Sequence, residues 1–290
     1  MKAVTSIQLN GLRFHEVTAG TTILGTTKGG WIYGSQRPSH EVQLPEFFIL
    51  KTPLRPTEVK RALGISTEEN GNDEWMELTS ADLDELASHL MDSPDFKNSP
   101  YSEGWTVRPP SEGEWQAARI GKVIEVPSGI TERLVDAPAA NYRGAMMDGR
   151  PRPNEWLGPA AHQRAAVAVH PQRQHVTALG SVPYGRALPN VVGRLVLTPI
   201  REGPPTRVPD SADRWGNLRS ELLWTTALGI VPSFMIPVLR GMGDYAAEGW
   251  LNLLLGGLCA GFFTGALWRP RRPVLTLGEL RSQSSVSDSQ

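Results

Sequence analysis

The sequence predicts an α+β domain followed by a hairpin of two apolar helices. Three observations lead to this class: short apolar runs with an amphipathic segment in the first two thirds of the chain, two long uncharged runs near its end, and a Pro-rich stretch between them. The 290 residues allow one large domain or two small ones. The net charge of -1 gives no general attraction to nucleic acid, which is therefore not a predicted partner.

The first part of the chain carries the signals of strands joined by tight turns and of short helices. Apolar runs bounded by Gly, Pro and Ser predict three strands: Thr22–Gly25, His40–Leu44 and Phe47–Leu50. Helical spacing and stop signals predict helices at Pro56–Leu63 and Thr79–Met91. Ser111 and Glu114 form a capping box before a third helix, Trp115–Arg119. The stretch from 121 to 200 is predicted to be loop-rich, with little periodicity and with short apolar pieces that end in Val191–Val192 and Leu195–Leu197.

Two uncharged apolar runs, Leu222–Leu239 and Trp250–Trp268, predict membrane-spanning helices. Each can cross a hydrocarbon core of about 30 Å, and the short charged link Arg240–Gly249 requires an antiparallel return. The positive-inside bias places the soluble domain and both termini in the cytoplasm, because arginines flank the outer ends: Arg214, Arg219, Arg269, Arg271 and Arg272. Met1–Leu12 lacks the apolar core of a signal peptide. The alternative is a helical hairpin buried in a globular core.

Tryptophans and glycines within these runs indicate how they are seated. Indole rings favour the membrane interface, and three lie near the ends of the runs: Trp224, Trp250 and Trp268. Three glycines at four-residue spacing give the second run a smooth groove for another backbone: Gly257, Gly261 and Gly265. The groove receives either the first helix of the same chain or a helix of another membrane protein subunit.

These signals divide the chain along its length into four regions. They are a soluble domain at 1–200, a Pro-rich linker at 201–218, a transmembrane hairpin at 219–269 with helices at 222–239 and 250–268, and a cytoplasmic, partly disordered tail at 270–290.

Four stretches of the soluble part carry more specific patterns. They are G-T-T-I-L-G at 20–25 with P-S-H-E-V-Q-L at 38–44 and F-F-I-L-K-T-P-L-R-P-T-E-V at 47–59; R-P-P-S-E-G-E-W-Q-A-A-R at 108–119; A-N-Y-R-G at 140–144; and L-G-S-V-P at 179–183 with P-N-V-V-G-R-L at 189–195. In this order and spacing they resemble the formylglycine-generating-enzyme (sulfatase-modifying factor) domain, which has a C-type-lectin-like fold. The resemblance covers roughly residues 18–197, and its most specific part is the stretch at 108–119.

The resemblance implies mostly structural roles for the matching residues: Arg108, Ser111, Glu114, Trp115, Asn141, Asn190 and Gly193. Catalytic members of the family hold copper with a late pair of cysteines, whereas this chain has only Cys259, inside an apolar run. The family's G-N-V-W-E-W and R-G-G-S-W stretches, which complete its core and a calcium site, do not follow Leu195. Asn141 matches one position near that calcium site. We therefore expect a shortened domain with no catalytic residue, cofactor or metal.

Other candidate chemistry is weak. His162, His170 and His175 are spaced by eight and five residues, which matches no helical ligand pair, so they are interpreted as surface or loop residues. Lys28-Gly29-Gly30 lacks the Gly-Lys-Ser/Thr ending of a phosphate loop. Seven arginines predict either a basic face for anionic lipid or an ordinary solvated surface: Arg143, Arg150, Arg152, Arg164, Arg173, Arg186 and Arg194.

The leading functional hypothesis is a membrane-anchored, non-catalytic binding or scaffolding protein. Its partners would be the lipid bilayer and other membrane protein subunits, with the chain acting as an accessory subunit of a larger complex. One alternative is an oxidative or metal-dependent enzyme of the formylglycine-generating-enzyme type. Another alternative is a ligand-sensing membrane protein.

Overall fold

The computed structural model describes residues 6–65, 75–170, 172 and 177–278, and it confirms the α+β class. The chain forms two compact units that are each discontinuous in sequence. The first combines Met1–Leu24, Val42–Ala139 and Met146–Thr206, and the second combines Gly25–Glu41, Ala140–Ala145 and Arg207–Gln290. The two units do not follow one another along the sequence, because the internal segments Gly25–Glu41 and Ala140–Ala145 belong to the same unit as the C-terminal part.

The elements are numbered in chain order. The strands are β1 (Ser6–Leu9), β2 (Leu12–Val17), β3 (Gly20–Leu24), β4 (His40–Leu44), β5 (Phe47–Leu50), β6 (Trp105–Arg108), β7 (Thr131–Arg133), β8 (Gln163–Val169), β9 (Thr177–Pro183), β10 (Val191–Val192) and β11 (Val196–Pro199). The helices are α1 (Pro56–Ala62), α2 (Ser80–Asp92), α3 (Pro94–Lys97), α4 (Glu112–Ile120), α5 (Arg214–Thr225), α6 (Val231–Leu239), α7 (Gly243–Glu248) and α8 (Trp250–Leu267).

The largest sheet of the first unit has the strand order β1-β2-β5-β11-β6, with antiparallel neighbours throughout. The predicted strand β5 lies at its centre, which explains its continuous apolar run. The β1–β2 hairpin turns at Asn10 and Gly11, both of which have positive φ. Asn-Gly is a strong signal for this turn, but its flanking runs are short, and the sequence as interpreted above predicts no strand there.

Helix α2 covers one face of this sheet with the residues that its periodicity predicts. Leu83, Leu86 and Leu90 are buried with Phe48 and Leu197 in one apolar cluster. Thr79 caps the helix by accepting a hydrogen bond from the Asp82 N–H (3.0 Å). The three predicted helices of the first unit are confirmed, and their ends differ from the predicted ends by at most three residues.

A second sheet, of order β10-β7-β8-β9, occupies the stretch that is predicted to be loop-rich. Strands β8 and β9 form a long antiparallel ladder from Gln163–Pro183 to Val169–Thr177. Their sequences, Q-R-A-A-V-A-V and T-A-L-G-S-V-P, contain four Ala and one Gly. Such residues have weak strand propensity, and cross-strand packing decides their conformation here.

The second unit is built around two apolar helices. Helix α5, a π-helical turn at Thr226–Ile230 and α6 form one continuous helix, Arg214–Leu239, called the long helix below. It begins eight residues before the predicted start at Leu222. The C-terminal part of the predicted linker is therefore helical. Val208 of that linker is buried, and its N–H donates to Ala145 O (2.9 Å).

Candidate functional site

The long helix is the one helix among the described residues that is long and apolar enough to cross a membrane. It has 26 residues, a mean hydropathy of 1.8 in its most apolar stretch, and only 6% of that stretch is buried. At 1.5 Å per residue it reaches about 39 Å, more than the hydrocarbon thickness. Helix α8 is apolar but shorter over its described side chains, Trp250–Gly265. One candidate span is thus found, and the predicted two-helix transmembrane hairpin is not confirmed.

A π-helical turn lies directly before Pro232 in the long helix. Proline lacks an N–H, and its ring crowds the carbonyl four residues earlier, so a wider turn relieves this conflict. The Ser233 hydroxyl lies 2.8 Å from Ile230 O and 2.8 Å from Leu253 O of α8. This hydroxyl therefore links the long helix to the backbone of α8 at the π-helical turn.

The glycine groove of α8 receives the long helix. A Cβ on Gly257 would lie 2.7 Å from Ser233 Oγ and 2.8 Å from Ile230 Cα, and a Cβ on Gly261 would lie 2.9 Å from Thr225 Cα. Gly229 of the long helix faces the same contact, where its Cβ would meet the Gly257 carbonyl. Of the two predicted occupants, the helix of the same chain fills the groove at these positions.

A charged cluster closes the end of this helix pair. Arg269 is 1% exposed at its side chain, and its Nε donates to Glu221 Oε2 (3.1 Å). Its Nη2 donates to Gly261 O (3.1 Å), a carbonyl in the last turns of α8. Gly265, the third groove residue, lies beside this pair, since its Cβ would be 3.2 Å from Glu221 Oε2. Cations near a helix C-terminus stabilise it.

Two internal segments bind the start of the long helix within the second unit. Arg37 is buried and donates to Asn217 Oδ1 (2.9 Å). Arg143 donates to Asp213 Oδ1 (3.1 Å) and to Ala212 O (3.2 Å). Asn141, which the sequence resemblance matches to a position near a calcium site, accepts the Arg143 N–H at 2.9 Å. Asn141 therefore orders the turn that presents Arg143 to the helix.

The motif at 108–119 forms a buried polar cluster in the first unit. Arg108 makes a bidentate pair with Glu114, at 2.8 and 2.9 Å. Ser111 N–H and Thr198 Oγ1 also donate to this carboxylate, and Trp115 is fully buried beneath it. Burial by itself opposes ionisation of Glu114, but the Arg108 guanidinium and these donors hold its pKa below the ordinary value. The contacts are those of a fold-stabilising cluster.

Acid unfolding is expected to report Glu114. Because the folded pKa lies below 4.5, the carboxylate contributes stability that is complete above that value and is lost as the pH falls through the folded pKa. Glu114→Gln should therefore be less stable at neutral pH and should lose less stability on acidification. Denaturant midpoints of the full-length protein from neutral pH to about pH 3 measure this.

Asp136 also changes the pH dependence of stability, in the direction opposite to Glu114. Asp136 is buried, which raises its pKa although the N–H groups of Arg152 and Glu112 donate to it. Its protonation in the folded state favours folding as the pH falls, both in the wild type and in the variant. The charge of Glu114 also helps to raise the pKa of Asp136, so the difference between the two curves reports Glu114 together with this effect on Asp136, and parallel curves would contradict the role of Glu114.

Asn190 and Gly193 shape the turn before β11. Asn190 has φ of 59°, and its carbonyl accepts the Thr131 N–H at 2.9 Å. A Cβ on Gly193 would lie 2.7 Å from a methyl of Leu83. The neighbouring Arg194 is fully buried, and its Nε and Nη2 donate to Glu132 at 2.5 and 2.6 Å. This pair is the most buried charge interaction of the motif region, and sequence reasoning missed it.

The predicted basic face does not hold for several of its arginines. Arg194 forms an ion pair with Glu132, and Arg143 forms one with Asp213. Arg150 lies 3.2 Å from Asp148. The Arg164 guanidinium lies over the Tyr184 ring at 4.8 Å. Local sequence could not reveal these partners, because each acid or ring comes from another part of the chain or from a turn whose geometry is not periodic.

The structure describes two of the three predicted histidines, and they make local contacts. His170 Nδ1 accepts the Gln172 N–H (3.1 Å), His162 ends a 3₁₀ turn at Gly158–His162, and His175 lies outside the described residues. Cys259 is a free, exposed side chain on α8. Within the part of the chain that the structure describes, no three His, Cys, Asp or Glu side chains are grouped so as to hold a metal ion.

Comparison with known proteins gives distant likenesses only. No protein-family model matches this chain, and no curated protein matches it significantly. PvdO from Pseudomonas aeruginosa is similar at 15% identity and a TM-score of 0.48, over 68% of this chain and 99% of its own. Treponema denticola variable protein 1 is similar at 12% identity and a TM-score of 0.45, over 69% of this chain and 100% of its own. CarF is similar at 11% identity and a TM-score of 0.34, over 69% of this chain and 100% of its own. Identities this low assign no activity or ligand.

Proposed function

We propose that this chain is a membrane-anchored, non-catalytic binding or scaffolding protein. The observation that carries the proposal is the long helix, whose apolar stretch is only 6% buried. Leu222, Leu223, Ile236 and Leu239 of this helix are each more than half exposed. A contiguous apolar surface of this kind is stable in lipid and costly in water. The bilayer is therefore the first proposed partner.

Helix α8 is proposed as the second span. Its 18 residues carry no charge and extend about 27 Å. It returns antiparallel along the long helix, with Gly261 opposite Thr225 and Gly257 opposite Ile230. The outer ends carry several basic residues, including Arg219 and Arg271, whereas the link carries one cation, Arg240, with Asp244 and Glu248. This distribution supports a cytoplasmic location for the soluble part and both ends of the chain.

A formylglycine-generating-enzyme-like, C-type-lectin-like fold is proposed for the soluble part. The support comes from the motif residues: the Ser111–Glu114 capping box is formed, and Arg108 binds Glu114 as a fold-stabilising pair. The proposal of binding over catalysis rests on Cys259, since a lone thiol in α8 cannot replace the family's cysteine pair. Copper or iron bound stoichiometrically to the purified protein would favour the enzyme alternative.

The accessory-subunit hypothesis now depends on other faces of the helix pair. At Gly257 and Gly261 the groove is filled by the chain's own long helix, so this face gives a partner helix no support. Leu251, Leu255 and Phe263 on α8 are more than half exposed. Purification in mild detergent from native membranes tests the hypothesis: stable co-purifying subunits support it, and a lone monomer contradicts it.

The anchor is expected to resist alkaline extraction and to expose its link on the far side of the membrane. In a Cys259→Ala background, Met242→Cys tests the link, and Ser211→Cys tests the segment before the long helix. Both side chains are exposed. An impermeant maleimide applied to intact cells should label Met242→Cys and should reach Ser211→Cys only after permeabilisation.

Two outcomes would contradict the anchor. Release of the protein by alkaline extraction would show that the apolar helices do not cross a bilayer. Equal labelling of both cysteines before permeabilisation would place them on the same side and exclude a spanning hairpin. Ser211→Cys labelled first would reverse the proposed orientation while keeping the span.

A further inference from the structure

Aromatic side chains lie at one height along the helix pair, near the end that carries Arg269, and this height is called the aromatic level below. Because Gly261 lies opposite Thr225, Phe262 of α8 lies level with Trp224 of the long helix. The rings of Trp224 and Trp268 are 5.7 Å apart and perpendicular. Tryptophan favours the boundary between lipid and water. If the helices span a membrane as proposed above, this level marks its cytoplasmic interface, and the inference below rests on that proposed function.

A segment distant in sequence reaches the same level. The Trp31 ring stacks on Phe262, with centroids 4.7 Å apart and planes inclined by 19°. Trp31 and Ile32 belong to a 3₁₀ turn, Trp31–Gln36, that buries none of its residues. They are 46% and 42% exposed. Two large apolar side chains are thus held outward beside a helix whose own surface is apolar.

Backbone contacts hold this turn against the end of α8. Gly29 is buried where a Cβ would meet the Pro270 carbonyl and would lie 2.7 Å from Arg269 Cβ. The Arg272 N–H donates to Thr27 O (2.7 Å). Gly30 adopts φ of 92°, a conformation that favours glycine. Lys28-Gly29-Gly30, which fits no phosphate loop, therefore serves a close approach of two backbones.

Two exposed cations border the turn, Lys28 and Arg271. Lys28 is exposed, and its Nζ lies 5.3 Å from the centroid of the Tyr33 ring. Arg271 follows the Pro270 carbonyl contact and is also exposed. An aromatic and aliphatic tip bordered by cations matches the boundary region of a bilayer with anionic lipid, where apolar groups meet acyl chains and cations meet phosphates.

We propose that the Trp31–Gln36 turn, together with Lys28 just before it, inserts into the cytoplasmic interface of the membrane as a third contact beside the two helices. Trp31 and Ile32 enter the boundary of the acyl chains, and Lys28 and Arg271 bind anionic lipid phosphates. The occupant is the lipid of the same membrane, because the turn is continuous with the anchor through the Trp31–Phe262 stack. The anchor is then wider than a helix pair and has a preferred lipid.

Labelling of the full-length protein in vesicles tests this insertion. In a Cys259→Ala background, an environment-sensitive NBD label is placed at Ile32→Cys, at Leu255→Cys on α8, and at Ile120→Cys at the exposed end of α4. Vesicles contain phosphatidylcholine, phosphatidylglycerol and a nitroxide-labelled lipid quencher. The expected result is blue-shifted, strongly quenched emission at positions 32 and 255, several-fold above the quenching at 120.

The three positions separate the failure of this inference from the failure of the anchor. A label at 255 quenched no more than at 120 would overturn the membrane anchor itself. Strong quenching at 255 with water-like emission at 32 would leave the anchor intact and overturn the insertion of the turn. Strong quenching at both positions supports the insertion.

Two variants test how the turn is held and what it binds. Gly29→Ala should push the turn from α8 and reduce quenching at 32 without changing it at 255; unchanged quenching at 32 would contradict the role of the Gly29 contact. Replacing phosphatidylglycerol by phosphatidylcholine should weaken quenching at 32. The double variant Lys28→Gln, Arg271→Gln should remove that lipid dependence, and a dependence that persists would overturn the assignment of these two cations.

Discussion

Glu132→Gln is expected to cause the largest loss of stability in the first unit. Arg194 and Glu132 are both fully buried, and their side chains meet in a bidentate pair. The variant leaves the Arg194 charge without its counter-ion, and breaking such a buried pair costs about 3–5 kcal/mol. That is a large part of the roughly 5–15 kcal/mol that stabilises a domain. Urea unfolding of the full-length protein in mild detergent, followed by tryptophan fluorescence, measures it.

Glu125→Gln is the matched control. Glu125 also pairs with a cation, Lys51 at 2.7 Å, but both of these side chains are at least half exposed. Water screens such a pair, so its removal should change the midpoint little. An equal midpoint for Glu132→Gln and Glu125→Gln would show that the Arg194–Glu132 pair is not isolated from water as the structure places it.

Gly257→Leu is expected to separate the two apolar helices. The new side chain would begin 2.7–2.8 Å from atoms of Ser233 and Ile230, and the Ile230 Cα cannot rotate away. Overpacking of this kind costs roughly 1–3 kcal/mol or more. Close backbone approach is also the main source of association between helices in lipid. Titration of the detergent-solubilised protein with dodecyl sulfate, followed by circular dichroism, should give an earlier transition.

Gly256→Leu provides the neighbouring control on the same helix. A Cβ at Gly256 meets no atom within 4 Å, so this substitution adds an apolar side chain to an open face. Its transition should stay close to that of the wild type. If both variants unfold equally early, the effect would come from loss of glycine itself and not from the contact between the helices.

Local rules account for the elements that the sequence predicted well. The capping box of Ser111 and Glu114 forms at α4, and the apolar face of α2 is buried as its spacing indicates. Strands β4 and β5 lie where apolar runs stop at Pro and Ser. Each of these signals is contained in fewer than about fifteen residues, and the chemistry of capping and periodic burial acts over that distance.

The same rules failed where the partner decides the structure. Strands β8 and β9 contain four Ala and one Gly, which favour strands weakly, and their ladder exists because each strand pairs with the other. The predicted linker has no periodicity, yet Val208 is buried, and its backbone N–H donates to Ala145 O. Propensity carries no information about such pairings, which depend on the path of the whole chain.

The sequence by itself determined that the chain has two apolar runs, a charged link and a glycine groove, because hydropathy and residue size are properties of the residues alone. Only the tertiary structure decided that the long helix starts at Arg214, that it fills the groove at Gly257 and Gly261, and that the turn at Trp31 joins the helix pair. Arg37 and Asn217 are 180 residues apart in sequence and 2.9 Å apart in space. Contacts at that separation arise from topology, and no local pattern encodes them.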